Sequence, residues 1–188
     1  MNLLSLMDQW VLHSLYALRT VHDTLFIIDI SELGSVALVL GITAIATILL
    51  IRKGLLPAAL TLLLAVGSTA VVVSLLKYLV ARPRPDVFFQ AYPEMGYSFP
   101  SWHAAGSAAL YLTLAYILSL HTTSGRRWIL YTASIALTAI VGFTRMYLGV
   151  HYASDVIAGW TIGAVLSYAS IKYAPRILKL PFVKKYVG

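Results

Sequence analysis

Apolar residues come in long blocks along this chain, and polar residues collect between them. Five blocks, residues 33–51, 55–76, 102–120, 128–144 and 152–171, approach or reach the length that crosses a bilayer. A hydrocarbon core of about 30 Å takes about 20 helical residues. Backbone groups cannot stay unpaired in lipid, so each block is predicted to be a helix. Pro57 falls in the first turn of the second block, where its missing N–H costs little. The fifth block carries Gly159-x3-Gly163, and the third carries Ala104, Ala105, Ala108 and Ala109. Small faces of this kind let helices approach closely. Residues 2–19 are apolar but interrupted by Asp8, Gln9 and His13. They read as an amphipathic helix lying in the interface, with a sixth span as the alternative. The expected fold is an all-α, polytopic membrane bundle: five transmembrane helices and an N-terminal interfacial or sixth spanning helix.

Composition agrees with this pattern. Of 188 residues, 60% are hydrophobic and 11% charged, whereas a soluble domain carries about a quarter charged residues. With no cysteine, disulfides and Cys-ligated metal sites are excluded. The first basic residue is Arg19, so a signal peptide with a positive n-region is not expected. One domain spans residues 1–188, with 1–30 an interfacial segment and 172–188 a basic cytoplasmic tail.

The net charge of +7 would suggest nucleic acid in a soluble protein. Here it marks topology, and no nucleic-acid partner is expected. Arg52, Lys53, Arg126, Arg127, Lys172, Arg176, Lys179, Lys184 and Lys185 fall on one side of the bundle. Asp8, Asp23, Asp29, Glu32, Asp86, Glu94 and Asp155 fall on the other. The positive-inside rule puts the basic side in the cytoplasm. The basic tail should also meet anionic lipid.

Polar groups with chemical potential gather at the opposite, outer level. Lys77 ends the second block, Arg82 and Arg84 follow it, His103 opens the third, Arg145 ends the fourth, and His151 and Asp155 open the fifth. Ionisable groups at membrane depth are costly and mark function by default. His151 and Asp155, four apart, would share a helix face. The carboxylate could then accept from one imidazole nitrogen and leave the other as nucleophile or base. Lys77, Arg84 and Arg145 supply charge suited to a phosphate. Ser101 is placed to cap the helix that begins at Trp102, whose free N–H groups also favour an anion.

Lys77-x6-Arg84-Pro85, Pro100-Ser101-Trp102-His103 and Thr144-Arg145-x5-His151-x3-Asp155 stand in this order along the chain. Together they resemble the tripartite signature of the type 2 phosphatidic acid phosphatase (PAP2) superfamily. The family usually has glycine where this chain has Trp102 and serine where it has Thr144. The resemblance implies metal-independent dephosphorylation of a lipid through a phosphohistidine, with no cofactor. It implies His151 as nucleophile, Asp155 as its orienter and His103 as the acid for the leaving group. Lys77, Arg84, Ser101, the Trp102 backbone and Arg145 would hold the phosphate. Phosphatidylglycerol phosphate, undecaprenyl diphosphate, phosphatidate and lipid A all suit such a site, which would face outward from a cell membrane.

Other readings set the tests. His103, His151 and Asp155 could hold a metal as two histidines and a carboxylate, although the nearby cations would repel it. The cationic site could instead bind a headgroup without chemistry, in a transporter or an inactive member. Arg82 reads as a headgroup or surface contact. Phe88, Phe89, Tyr92, Tyr97 and Phe99 read as an interfacial aromatic belt. His13, His22 and His121 read as interfacial. Oligomeric state is not fixed by the sequence.

Overall fold

The computed structural model describes residues 3–120 and 122–177. Among them every regular element is helical. The order is α1 (Leu3–Ala17), α2 (Val21–Ser31), a short 3₁₀ turn (Glu32–Gly34), α3 (Val36–Arg52), α4 (Leu56–Val80), α5 (Trp102–Ser119), α6 (Ser124–Tyr147) and α7 (Ala153–Ile177). A second 3₁₀ turn, Val87–Phe89, lies in the long α4–α5 loop. The all-α expectation holds.

Helix ends follow local chemistry. Pro57 sits in the first turn of α4, and Ala81 closes that helix in the left-handed region at φ 47°. Ser35 leaves the helical region and accepts from the Leu38 N–H, starting α3 afresh. The chain therefore bends by 41° between residues 21–34 and α3. The first apolar block foretold α3 but not the helical stretch before it. Thr20 caps α2 by accepting from the Asp23 N–H.

By length and composition, α4 and α6 can each cross a membrane, and the bent pair makes a third candidate. The expected count of five is not reached on that criterion for a physical reason. α5 is internal and α7 packs one face against it and α4, and both are rich in Ala, Gly, Ser and Thr rather than Leu and Ile. α5 packs against α3, α4, α6 and α7, and most of its residues from Ala104 to Ala109 are buried. The small faces named from sequence meet each other. A Cβ at Gly159 would lie 2.6 Å from the Ser101 carbonyl oxygen, and one at Gly163 would collide with that of Ala105.

The N-terminal helix has an inverted surface. Leu3, Leu6 and Trp10 are exposed, while Asp8 is 2% exposed. Water would favour the reverse; lipid outside and a polar partner inside favour this arrangement. Asp8 touches the start of α7, and Arg19, just beyond α1, touches the end of α6. α1 therefore lies across one end of the bundle. α7 continues as helix through Ile177, taking in Lys172 and Arg176. Lys179, Lys184, Lys185 and His121 lie outside the described residues.

Candidate active site

Four helix ends meet beneath α1: the C-termini of α4 and α6 and the N-termini of α5 and α7. Antiparallel neighbours bring these ends to one level, as the sequence predicts. Lys77 comes from the last turn of α4, Arg145 from the last turn of α6, and Arg84 from the loop after α4. His103 lies in the first turn of α5, within electrostatic reach of Arg145, His151, Arg84 and Lys77.

His151 sits just before α7, not on it as the four-residue spacing suggested. Gly149, at φ 68°, turns the chain between α6 and α7, and any Cβ there would strike the Phe89 carbonyl. Tyr152 occupies the N-cap position, and Asp155 Oδ2 accepts from its backbone N–H at 2.9 Å. This is the reach-back half of a capping box. It turns Asp155 toward His151, whose Nδ1 stands 3.6 Å from Oδ2. That is contact range and not a formed hydrogen bond.

On the other side of the imidazole, Arg84 Nη1 stands 3.2 Å from Nε2 and donates to the Val150 carbonyl. The rest of that guanidinium donates to the carbonyls of Met95 and Gly96. Lys77 Nζ donates to the Tyr97 carbonyl at 2.6 Å. Arg145 is fully buried and donates to Ser31 Oγ and Tyr92 Oη. Glu94 pairs with Arg145 and, at 3.4 Å, with Arg84. One carboxylate thus bridges two of the three cations expected to take phosphate. Burial, followed by the charges of Arg145, Arg84 and Lys77, holds His151 well below the ordinary imidazole pKa. It is neutral near pH 7, the form that can attack.

Several buried polar atoms lack a protein partner, among them Ser101 Oγ, Trp102 Nε1, Arg145 Nε and His151 Nδ1. All four belong to residues singled out from the motifs. Such atoms are rare, and in a native protein each calls for an explanation. Ser101 holds the N-cap position of α5 but makes no capping bond, contrary to expectation. The Thr144 hydroxyl is turned into its own helix, donating to the Val141 carbonyl. The Trp102 indole folds back over Gly106. It helps line a groove of about 230 Å³ with Val36, Leu40, Val73, Ser74 and Lys77.

The structure corrects further sequence readings and adds groups to the site. Arg82 is no surface contact: it donates to Asp155 Oδ1 and to Asp8 Oδ2, each at 2.7 Å. The loop aromatics do not form one belt. Tyr92 binds Arg145, Phe89 packs edge-on against His13 and Tyr16 of α1, and Tyr97 packs on Tyr78. Ser31 and Glu94 join the site without any local sequence signal. For Asp8 there was one, a carboxylate inside an apolar segment.

Comparison with known proteins follows the same geometry. The phosphatidylglycerophosphatase B of Bacillus subtilis is 34% identical over 111 residues, covering 58% of this chain and 54% of the relative. An undecaprenyl-diphosphatase of Sulfolobus acidocaldarius is 32% identical over 133 residues, covering 68% of this chain and 61% of the relative. The chain thus spans little more than half the length of these curated relatives. Among solved structures, a transmembrane PAP2-type phosphatidylglycerolphosphate phosphatase from Bacillus subtilis superposes with a TM-score of 0.85 at 28% identity. That match covers 94% of this chain and 89% of the other. A family model matches residues 58–179, which hold all three motifs and the four helices whose ends form the site, and by that match the chain belongs to the PAP2 superfamily.

Proposed function

We propose that this protein is a multi-pass membrane phosphatase that removes phosphate from a lipid phosphate or diphosphate through a phosphohistidine. The observation that carries the reading is the ring of Lys77, Arg84 and Arg145 around a buried, neutral His151, with Ser101 Oγ and Arg145 Nε unpartnered beside it. Three cations repel a metal ion and attract a phosphate. The carbonyls and the Glu94 carboxylate that hold two of the cations are acceptors a phosphate can replace.

In the reaction, His151 Nε2 attacks phosphorus while Asp155 steadies the Nδ1–H side of the ring. The bond from phosphorus to the lipid oxygen breaks, and His103 gives that oxygen its proton. Water then attacks the phosphohistidine. His103 takes the water's proton, inorganic phosphate leaves, and His151 is regenerated. Fixed charge does most of the work, as in phosphoryl transfer generally. The apolar groove that runs from Lys77 past Trp102 offers the lipid tail a way out toward the bilayer.

The membrane reading places α4, α5, α6, α7 and the bent pair across the bilayer. It lays α1 over the outer end, because 15 residues extend only about 22 Å. The site then faces outward. The chain has no native cysteine, so single cysteines report topology cleanly. Met95→Cys should react with an impermeant thiol reagent in intact cells, and Lys53→Cys should be protected. The opposite pattern would overturn the orientation. For the chemistry, purified protein should release phosphate from phosphatidylglycerol phosphate or undecaprenyl diphosphate, resist EDTA and be blocked by vanadate. Headgroup binding with no release would favour a transporter or an inactive member. Loss in EDTA with full activity in vanadate would favour a metal.

A further inference from the structure

The N-terminal helix lies outside the matched residues 58–179, yet it reaches the centre of the site. Asp8 Oδ1 accepts from the Ser154 backbone N–H at 2.9 Å. Its Oδ2 accepts from the Ser154 hydroxyl at 2.6 Å and from Arg82 Nη2 at 2.7 Å. Arg82 Nη1 donates to Ser154 Oγ and to Asp155 Oδ1, both at 2.7 Å. The guanidinium also lies over the Tyr152 ring, 4.2 Å from its centre.

A guanidinium beside one carboxylate usually takes both oxygens in a fork. Here the fork is divided between two carboxylates. Asp8 draws Nη2, so Arg82 gives Asp155 a single bond, on Oδ1. Asp155 Oδ2 is left to the Tyr152 N–H and to His151. Without Asp8, Arg82 could close on both oxygens of Asp155 and draw Oδ2 away from the imidazole. Asp8 also balances the Arg82 charge, which would otherwise weaken Asp155 as partner of a histidine that becomes positive. The Ser154 N–H is one of the unpaired donors at the start of α7, so Asp8 also fixes the helix that carries Asp155.

We propose that Asp8 is a positioning residue of the reaction: by splitting the Arg82 guanidinium, it keeps Asp155 Oδ2 turned toward His151 and makes α1 part of the active site. The proposal rests on the phosphohistidine reading above. The charged and titratable groups facing Asp155 are Arg82 from the α4–α5 loop, Tyr152 and His151 from the turn before α7, and Asp8 from α1, with the charges of Lys77 from α4 and Arg84 from the loop also reaching it.

The test is Asp8→Asn, which keeps the shape and an oxygen for Ser154 but removes the charge that holds Arg82. Turnover should fall about 10–100-fold, by analogy with the loss of a partner that orients a metal-ligating histidine. Inhibition by inorganic phosphate should stay within about twofold, because Lys77, Arg84 and Arg145 are untouched. The acid limb of kcat/KM should move to lower pH, because the imidazolium loses support. In the double variant Asp8→Asn/Arg82→Gln, the loss should be no greater than in Arg82→Gln alone, since Asp8 acts through Arg82. Ser154→Ala removes the hydroxyl bridging Asp8 and Arg82, and should give a smaller loss with the same shift of the acid limb. It keeps the idea testable if Asp8→Asn does not fold. Wild-type turnover in folded Asp8→Asn, additive losses in the double variant, or a loss that follows the folded fraction with an unmoved acid limb would each overturn the proposal. A wild-type protein that forms no phosphoenzyme and releases no phosphate would overturn the underlying reading instead.

Discussion

On one face of His151 lie Lys77, Arg84 and Arg145; on the other lie Asp155, Arg82 and Asp8. Both regions are charged and largely buried, but they are held differently. The first leans on backbone carbonyls and on Glu94, a carboxylate that is 24% exposed, and Ser101 Oγ and Arg145 Nε are unmatched there. In the second, each oxygen of Asp8 and Asp155 accepts at least one hydrogen bond. On the proposed function the first region binds and releases phosphate and must change partners each cycle, so its ground-state partners are replaceable. A region that only orients the nucleophile gains nothing from exchange, and an unpaired charge there would be costly. The same guanidinium chemistry therefore serves two purposes, separated by what the arginine is allowed to let go.

The largest effect tests the residue between the two regions. His151→Ala should lower turnover by on the order of 10⁴–10⁶-fold, as when the central member of a catalytic set is lost. It should leave no acid-labile phosphoenzyme in rapid-quench labelling with any substrate. Trapped phosphoenzyme would place the covalent bond elsewhere.

His103→Ala should cost on the order of 10²–10⁴-fold on a lipid phosphate, whose alkoxide needs a proton to leave. On an aryl phosphate, whose phenolate leaves readily, the loss should be much smaller. Equal losses on both substrates would mean that His103 belongs with the phosphate binders.

Trp102 borders the cation side without joining it, because its indole lies on Gly106 and the groove wall. Trp102→Gly should cost about 1–3 kcal/mol of stability, below the range for a fully enclosed tryptophan. Turnover per folded molecule should not rise. Faster turnover would show that the indole crowds the phosphate after all.

Glu94→Gln sharpens the contrast between exchangeable and fixed partners. It removes the carboxylate that competes with substrate for Arg84 and Arg145. KM for a lipid phosphate should fall several-fold, about 1 kcal/mol for a partly exposed pair, with little change in kcat. A raised KM would mean that Glu94 holds the arginines in place for phosphate.

The smallest effect is in the pH profile. In the proposed reaction His151 attacks as the neutral base, and its pKa is pushed down by burial and by the neighbouring cations. Protonation sets in only below the ordinary imidazole range, so kcat/KM should be flat through pH 6.5 and fall on the acid side. Arg84→Gln removes one of the cations that depress it and should move that limb upward. A wild-type limb at or above pH 6.5 would contradict the environment described.

Much of this was legible in the chain. Apolar blocks located α3 to α7 to within four residues, except at the C-terminal end of α7, which runs six residues past its block, because lipid-facing positions must be apolar along a helix but its basic last turn need not be. The motif spacings named Lys77, Arg84, Ser101, His103, Arg145, His151 and Asp155, and all of them fall at the meeting helix ends. The bend at Ser35 was missed because the serine falls inside the first apolar block, where a single small polar residue does not interrupt the pattern. Arg82 was misread because an arginine two residues from a motif arginine carries no mark of which way it points. Asp8 did carry a signal, since a carboxylate in an apolar helix needs a partner. That partner lies 146 residues away, a distance no local pattern can bridge.

That separation has a consequence for biogenesis. Asp8 is made before Ser154 and Asp155, which open α7, the last of the described helices. While the earlier helices enter the bilayer, α1 carries a carboxylate without its final acceptors and donors. Only when α7 arrives can Arg82 be shared between the two carboxylates. The arrangement around Asp155 therefore closes last, and a chain that still lacks α7 lacks the carboxylate that the proposed reaction needs beside His151.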